Sequence, residues 1–118
     1  MTDKTMTREY DAELVRNWLM SLVSRVYKIL PIRENNEATL GQYMKSLQRE
    51  MLGTKALIRA LDSDGRYMSI ISILQYMIDY PCDISVTRSE VFKAIDILKK
   101  LIATYADGGE RDGRMGSV

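Results

Sequence analysis

Histidine is absent from this chain of 118 residues, and its absence removes more chemistry than any residue present supplies. Without imidazole there is no Ser-His-Asp triad, no Cys-His dyad, no His-ligated zinc and no base that titrates near neutrality unaided. Di-iron carboxylate bundles need Glu-x-x-His pairs and are excluded for the same reason. Cysteine is nearly as scarce. Cys82 stands alone, so there is no internal disulfide and no Cys-based zinc cluster. A lone thiol suits a reducing compartment, and a cytoplasmic location is expected. Asp83 follows Cys82 and opposes thiolate formation, which makes an incidental thiol the simpler reading.

Other signatures are missing too. There is no Gly-x-x-x-x-Gly-Lys-Ser/Thr phosphate loop and no Gly-x-Gly-x-x-Gly fingerprint. No apolar run reaches the ~20 residues of a membrane span, so no membrane partner is expected. The opening "MTDKTMTREYDAEL" carries Asp3, Glu9, Asp11 and Glu13, unlike a signal or transit peptide. Net charge is nearly absent: 17 basic residues face 16 acidic ones, which gives no general attraction to nucleic acid or anionic lipid.

What is present is helical periodicity. Apolar residues make up 46% and charged residues 28%, the composition of a globular protein. Four segments repeat at helical spacing, over about 8–30, 37–61, 65–80 and 87–106, and no credible strand interrupts them. The only prolines, Pro31 and Pro81, are read as the ends of the first and third segments, with a polar loop following Pro31. Asn36, or Thr39 with Gln42, is the candidate cap of the second segment, and Gly53 marks a kink or a close approach within it. Thr87 and Glu90 form a capping box for the fourth, with Val86 and Val91 as its staple. Asp107-Gly108-Gly109 stops that helix. The expectation is an all-α fold: an up-down-up-down antiparallel four-helix bundle in one domain, 1–107, with a flexible tail at 108–118.

Two segments are unusually apolar. The first carries a double row, with Leu14, Trp18, Leu22 and Val26 beside Val15, Leu19, Val23 and Tyr27. In the third, only Ser69, Ser72, Gln75 and Asp79 are clearly polar between Tyr67 and Tyr80. Their spacing of three, three and four describes a wet edge about one residue wide. So much apolar surface in a short chain suggests a cover from outside, most simply a second copy in a two-fold dimer. Trp18, Met20, Tyr76 and Tyr80 are the candidate interface residues, since Tyr, Trp and Met favour such surfaces.

Charge is locally uneven. Between Leu14 and Ala60 eight basic residues face three acidic ones, a net +5. Arg25 with Lys28 and Lys45 with Arg49 form a candidate basic surface able to meet phosphates. Carboxylate-only magnesium sites are the remaining route to catalysis. Glu9 and Glu13 share a helix face, but Glu90 and Asp96, six apart, do not. The acids read as helix termini, and no metal or cofactor is expected. The leading function is thus a non-enzymatic interaction or regulatory protein, of the kind a phage or other mobile element encodes, acting through a protein partner or its own oligomer. A nucleic-acid-binding module on helices one and two is the alternative, and a carboxylate-metal nucleotide hydrolase the second.

Overall fold

The computed structural model describes the backbone of residues 2–81 and 83–106 and the side chains of residues 12–81 and 83–105. Helix accounts for 91% of the described residues and no strand occurs among them, which establishes the all-α class. In chain order the elements are α1 (Thr2–Tyr27), α2 (Ile29–Asn35), a 3₁₀ turn (Glu37–Thr39), α3 (Leu40–Leu57), α4 (Arg59–Asp62), α5 (Gly65–Asp79) and α6 (Ile84–Ala106). The expected tail, with its Asp107-Gly108-Gly109 stop, lies outside the described residues, as does Cys82.

The two prolines behave differently. Pro31 does not end a helix, and the expected loop after it does not form. Lys28 separates α1 from α2 while keeping α backbone angles. Its N–H still reaches Ser24 O at 3.1 Å, and Ile32 N–H returns to Lys28 O at 3.2 Å. Pro31 is the third residue of α2, inside the first turn, where N–H groups have no helical acceptor to lose. Pro81 does mark an end. Tyr80 before it is extended, at φ −126° and ψ 101°, as the clash with a following proline favours.

The second expected helix is also divided. Gly53 lies within α3, and a Cβ built there would meet nothing within 4 Å, so it marks no close approach of another helix. The break comes at Ile58, a β-branched residue in extended geometry (φ −109°, ψ 104°). It turns the chain across the end of the core, burying Ile58 and Leu61, and Lys55 Nζ spans the bend to Asp62 Oδ1 at 2.9 Å. Neither Asn36 nor Thr39 caps α3 with its side chain; Thr39 Oγ1 donates to Asn36 O at 3.0 Å.

Aspartates start the last two long helices. Asp64 Oδ1 accepts from Arg66 N–H at 2.9 Å, and Asp83 Oδ1 accepts from Val86 N–H at 2.9 Å. The start of α6 at Ile84 corrects the expected start at 87. Thr87 is already inside the first turn, buried, with both its N–H and Oγ1 donating to Asp83 O at 2.9 Å. Glu90 is turned to Lys93 at 3.2 Å instead of back to Thr87. An aspartate four residues upstream, Asp83, supplies the capping oxygen that Thr87 was expected to give.

α1 packs along α6, α6 along α5 and α5 against α3, while α2 touches both α6 and α3. Paired contacts fix direction. Tyr27 meets Phe92 and Glu34 meets Arg88, so the chain through α1 and α2 runs opposite to α6. Gln48 meets Ile71 and Met51 meets Tyr67, so α3 opposes α5. The core lies between them. Val15, Leu19, Leu22 and Val26 from α1 join Leu47 and Met51, Ile70 and Leu74, Leu98 and Leu101, each at most 1% exposed. Spacings of three and four put these residues on one face of each helix. Each such side chain contributes roughly 1.5–3 kcal/mol on burial.

Candidate functional site

The two faces of α5 are unlike in chemistry. Tyr67, Ile70, Ile71, Ile73, Leu74 and Met77 point inward and are buried. Ser69, Ser72, Gln75 and Asp79 are exposed, as their spacing implies, but Met68, Tyr76 and Tyr80 join them, at 37%, 45% and 61% exposure. At 3.6 residues per turn the six of these positions that lie within α5 span an arc of roughly 120°. The wet edge is therefore broader than one residue. The chain's own α3 and α6 cover the apolar inner face, and Gln48 of α3 reaches the outer one, its Nε2 donating to Gln75 Oε1 at 2.9 Å. Tyr76 and Tyr80, one turn apart, pack ring on ring with centroids 5.5 Å apart and planes tilted by 43°. Met68 was not among the expected interface residues.

Trp18 is engaged inside the molecule. Its indole N–H donates to Tyr67 Oη at 3.1 Å, and Tyr67 O–H donates to Met51 O at 2.8 Å. This chain of two hydrogen bonds ties α1, α5 and α3 together around a tyrosine with no exposed surface. Burial pushes the Tyr67 phenol up to about 12, against the opposing pull of the Trp18 hydrogen bond. Met20 is 53% exposed and lies two residues from Trp18, on the far side of α1. That side also carries Tyr27, which packs edge-on against Phe92 with centroids 5.9 Å apart. The structure thus brings Tyr76 and Tyr80 together but joins neither Trp18 nor Met20 to them.

The four candidate basic residues are also divided. Arg25 lies over the Trp18 ring at 5.8 Å, and its Nη1 pairs with Glu50 Oε1 at 2.9 Å. The hydrogen bond from Arg25 holds the Glu50 carboxyl below its ordinary value, and the same bond raises Arg25. Tyr43 O–H donates to Arg25 O at 2.8 Å, and burial raises that phenol. Glu50 and Tyr43 form the edge of α3 that meets α1. Lys45 and Arg49 are exposed, two and six residues beyond Tyr43, which puts them on the outer face of α3 away from that edge. Lys28 is exposed at the junction of α1 and α2.

The acidic residues are dispersed. Asp96 pairs with Lys100 at 3.3 Å and Glu90 with Lys93, while Glu13 is exposed on α1. The side chain of Glu9 lies outside those described. Among the described residues no group of three Asp, Glu, Cys or His is placed to hold a metal ion. A cleft of about 130 Å³ opens beside Leu40, Met44, Met77 and Pro81, with the Arg33–Glu37 ion pair (3.4 Å) on its wall. Among the described residues no helix is long and apolar enough to cross a membrane. No family model, no curated protein and no solved structure matches the chain.

Proposed function

We propose that the chain is an up-down-up-down antiparallel four-helix bundle that works as a non-enzymatic interaction or regulatory protein in the cytoplasm. It acts through a protein partner or through its own oligomer. The antiparallel pairs α1–α6 and α3–α5 support the topology. One observation carries the function. From Met68 to Tyr80 the seven exposed positions of α5 and its C-cap hold one charge, Asp79, together with two tyrosines and a methionine. Of the ten exposed positions of α6, five are charged (Arg88, Lys93, Asp96, Lys99 and Lys100), and Phe92 is the one large apolar side chain among them. Depletion of charge with enrichment of Tyr and Met is the compositional mark of an interface centre, whereas a merely solvated face resembles that of α6. The nucleic-acid alternative is weakened because Arg25 is engaged by Glu50 and the α3 pair faces elsewhere.

The test places a photo-activated benzoylphenylalanine at Tyr76 or at Lys99 in the full chain, expressed in its native cells. Adducts to one dominant protein from Tyr76, whether this chain or another, with few from Lys99, are the expected result. Equal labelling at both positions, or none at either, would remove α5 as the working surface.

A further inference from the structure

We propose that α4 is a strap with two forms: the bent one described above, which closes the end of the core, and a straight one in which α3 and α4 fuse into a single helix through Asp62. Nothing in the local sequence asks for the break at Ile58. From Thr54 to Asp62 the chain reads TKALIRALD, without glycine or proline, and Ala, Leu, Arg and Lys are strong helix formers. Packing imposes the bend, by burying Ile58 and Leu61. Its costs are visible beside it. Leu57, the last residue of α3, is left 85% exposed, more than any other large apolar side chain among the described residues. In a continuous helix the N–H groups of Arg59 and Ala60 would bond Lys55 O and Ala56 O; across the extended Ile58 neither bond forms. Local preference and long-range packing thus oppose each other in one short segment, which is the condition for two arrangements to lie close in free energy.

The register of α3 on α5 shows what straightening does. Gln48 meets Ile71 and Met51 meets Tyr67, so the pairing runs out near Thr54, where α5 begins at Gly65. A straight α3 carries residues 55–62 past that point, by roughly 12 Å at 1.5 Å per residue, and draws Ile58 and Leu61 off the end of the core. The Lys55–Asp62 pair at 2.9 Å belongs to the bent form alone. On a continuous helix these two residues stand two turns apart, not the single turn at which side chains pair. The ion pair is therefore a clasp on the strap. Arg59 supplies a lock. It is the first residue of α4, where proline is accepted, and Ile58 before it already has the extended angles that a following proline favours. In the interior of a straight helix the same proline is strongly disfavoured.

The experiment places nitroxide labels at Gln42 and Ser63, both exposed, in the full chain with Cys82→Ser, and reads their separation by pulsed electron resonance. A straight helix sets the two backbones roughly 32 Å apart, and the bend shortens that distance. The expected result is a short main distance with a minor component near the long one. Lys55→Ala undoes the clasp and should raise the long-to-short ratio by roughly two- to fivefold. Ile58→Ala removes a buried contact and a β-branched residue together and should make the long distance dominant. Arg59→Pro added to either variant should return the short distance. If Ile58→Ala does not fold, Lys55→Ala with and without Arg59→Pro decides. A single short distance in every folded variant overturns the second form. So does a broad distribution with no long component, which would mean that α4 unravels instead of straightening. A long component that survives Arg59→Pro overturns Ile58 as the hinge.

Discussion

Tyr67 and Tyr76 belong to the same helix and do opposite things. Tyr67 has no exposed surface, accepts from the Trp18 N–H and donates its own O–H to Met51 O. Tyr76 is 45% exposed and touches Tyr80. Nine residues are two and a half turns, so the two rings leave α5 on opposite sides. One residue type thus serves as a core anchor on one side and as exposed surface on the other. The inner face should carry the stability of the molecule, and the outer face its associations. Substitutions along α5 can break or sharpen that division.

The largest effect is expected on the inner face. Leu74 is fully buried, and Leu74→Ala should cost about 2–5 kcal/mol through lost burial and the cavity left behind. Urea midpoints measure it. A loss under 1 kcal/mol would mean the inner face is loosely packed and the contrast between faces is false.

Tyr67→Phe comes next. It removes one hydroxyl but leaves two polar groups, the Trp18 N–H and Met51 O, without that partner, for about 1–3 kcal/mol. The phenol also has an alkaline signature. Its folded value is raised to about 12 by burial, so its contribution is complete below the ordinary unfolded value near 10 and is lost as pH rises through 12. A difference of this size corresponds to roughly 3 kcal/mol. Tyr67→Phe should flatten, not abolish, the fall in stability over that window, because burial also raises Tyr43 and Tyr105. An unchanged alkaline slope in the variant would show that Tyr67 is not the buried phenol responsible.

Asp64, where the two faces meet at the start of α5, should give a smaller effect. Asp64→Ala removes the oxygen that accepts from Arg66 N–H, worth about 0.5–2 kcal/mol. Hydrogen bonding from the Arg66 side chain comes first among the causes that lower the Asp64 carboxyl. Its contribution is therefore present above the ordinary aspartate value, about 3.9, and is lost as pH falls through the lower folded value. The wild-type and alanine proteins should converge in stability at acid pH; a gap that persists there would assign the effect to something other than the carboxylate.

Local features were legible in the sequence and long-range pairings were not. The all-helical class and the extent of α5 follow from spacing and from the turn residues before Gly65. The exposure of Ser69, Ser72, Gln75 and Asp79 follows from the same spacing. Pro31 misleads because proline breaks a helix by its position within a turn, and the new helix that begins at Ile29 made that position harmless. Thr87 misleads because Asp83, four residues earlier, offers an equally good cap. The roles of Trp18 and Arg25 were hidden because their partners, Tyr67 and Glu50, lie 49 and 25 residues away. Met68 was overlooked for a related reason: an apolar residue beside a polar stripe looks like core until its neighbours are placed.

The smallest effect on stability should come from the outer face, and its smallness is what makes it informative. Tyr76→Ser removes an exposed ring and its contact with Tyr80. No side-chain hydrogen bond of Tyr76 is seen among the described residues, and nearly half of the residue is already exposed. The monomer should change by no more than about 0.5 kcal/mol, the usual range for surface substitutions. Concentration separates this from a trivial result. A dimer adds stability only where it is populated, so the wild-type melting temperature should rise with protein concentration while that of Tyr76→Ser stays flat. At low micromolar concentration the two should coincide. A loss of 2 kcal/mol in the dilute variant would show that Tyr76 supports the core like Tyr67, and the two faces of α5 would no longer be distinct in kind.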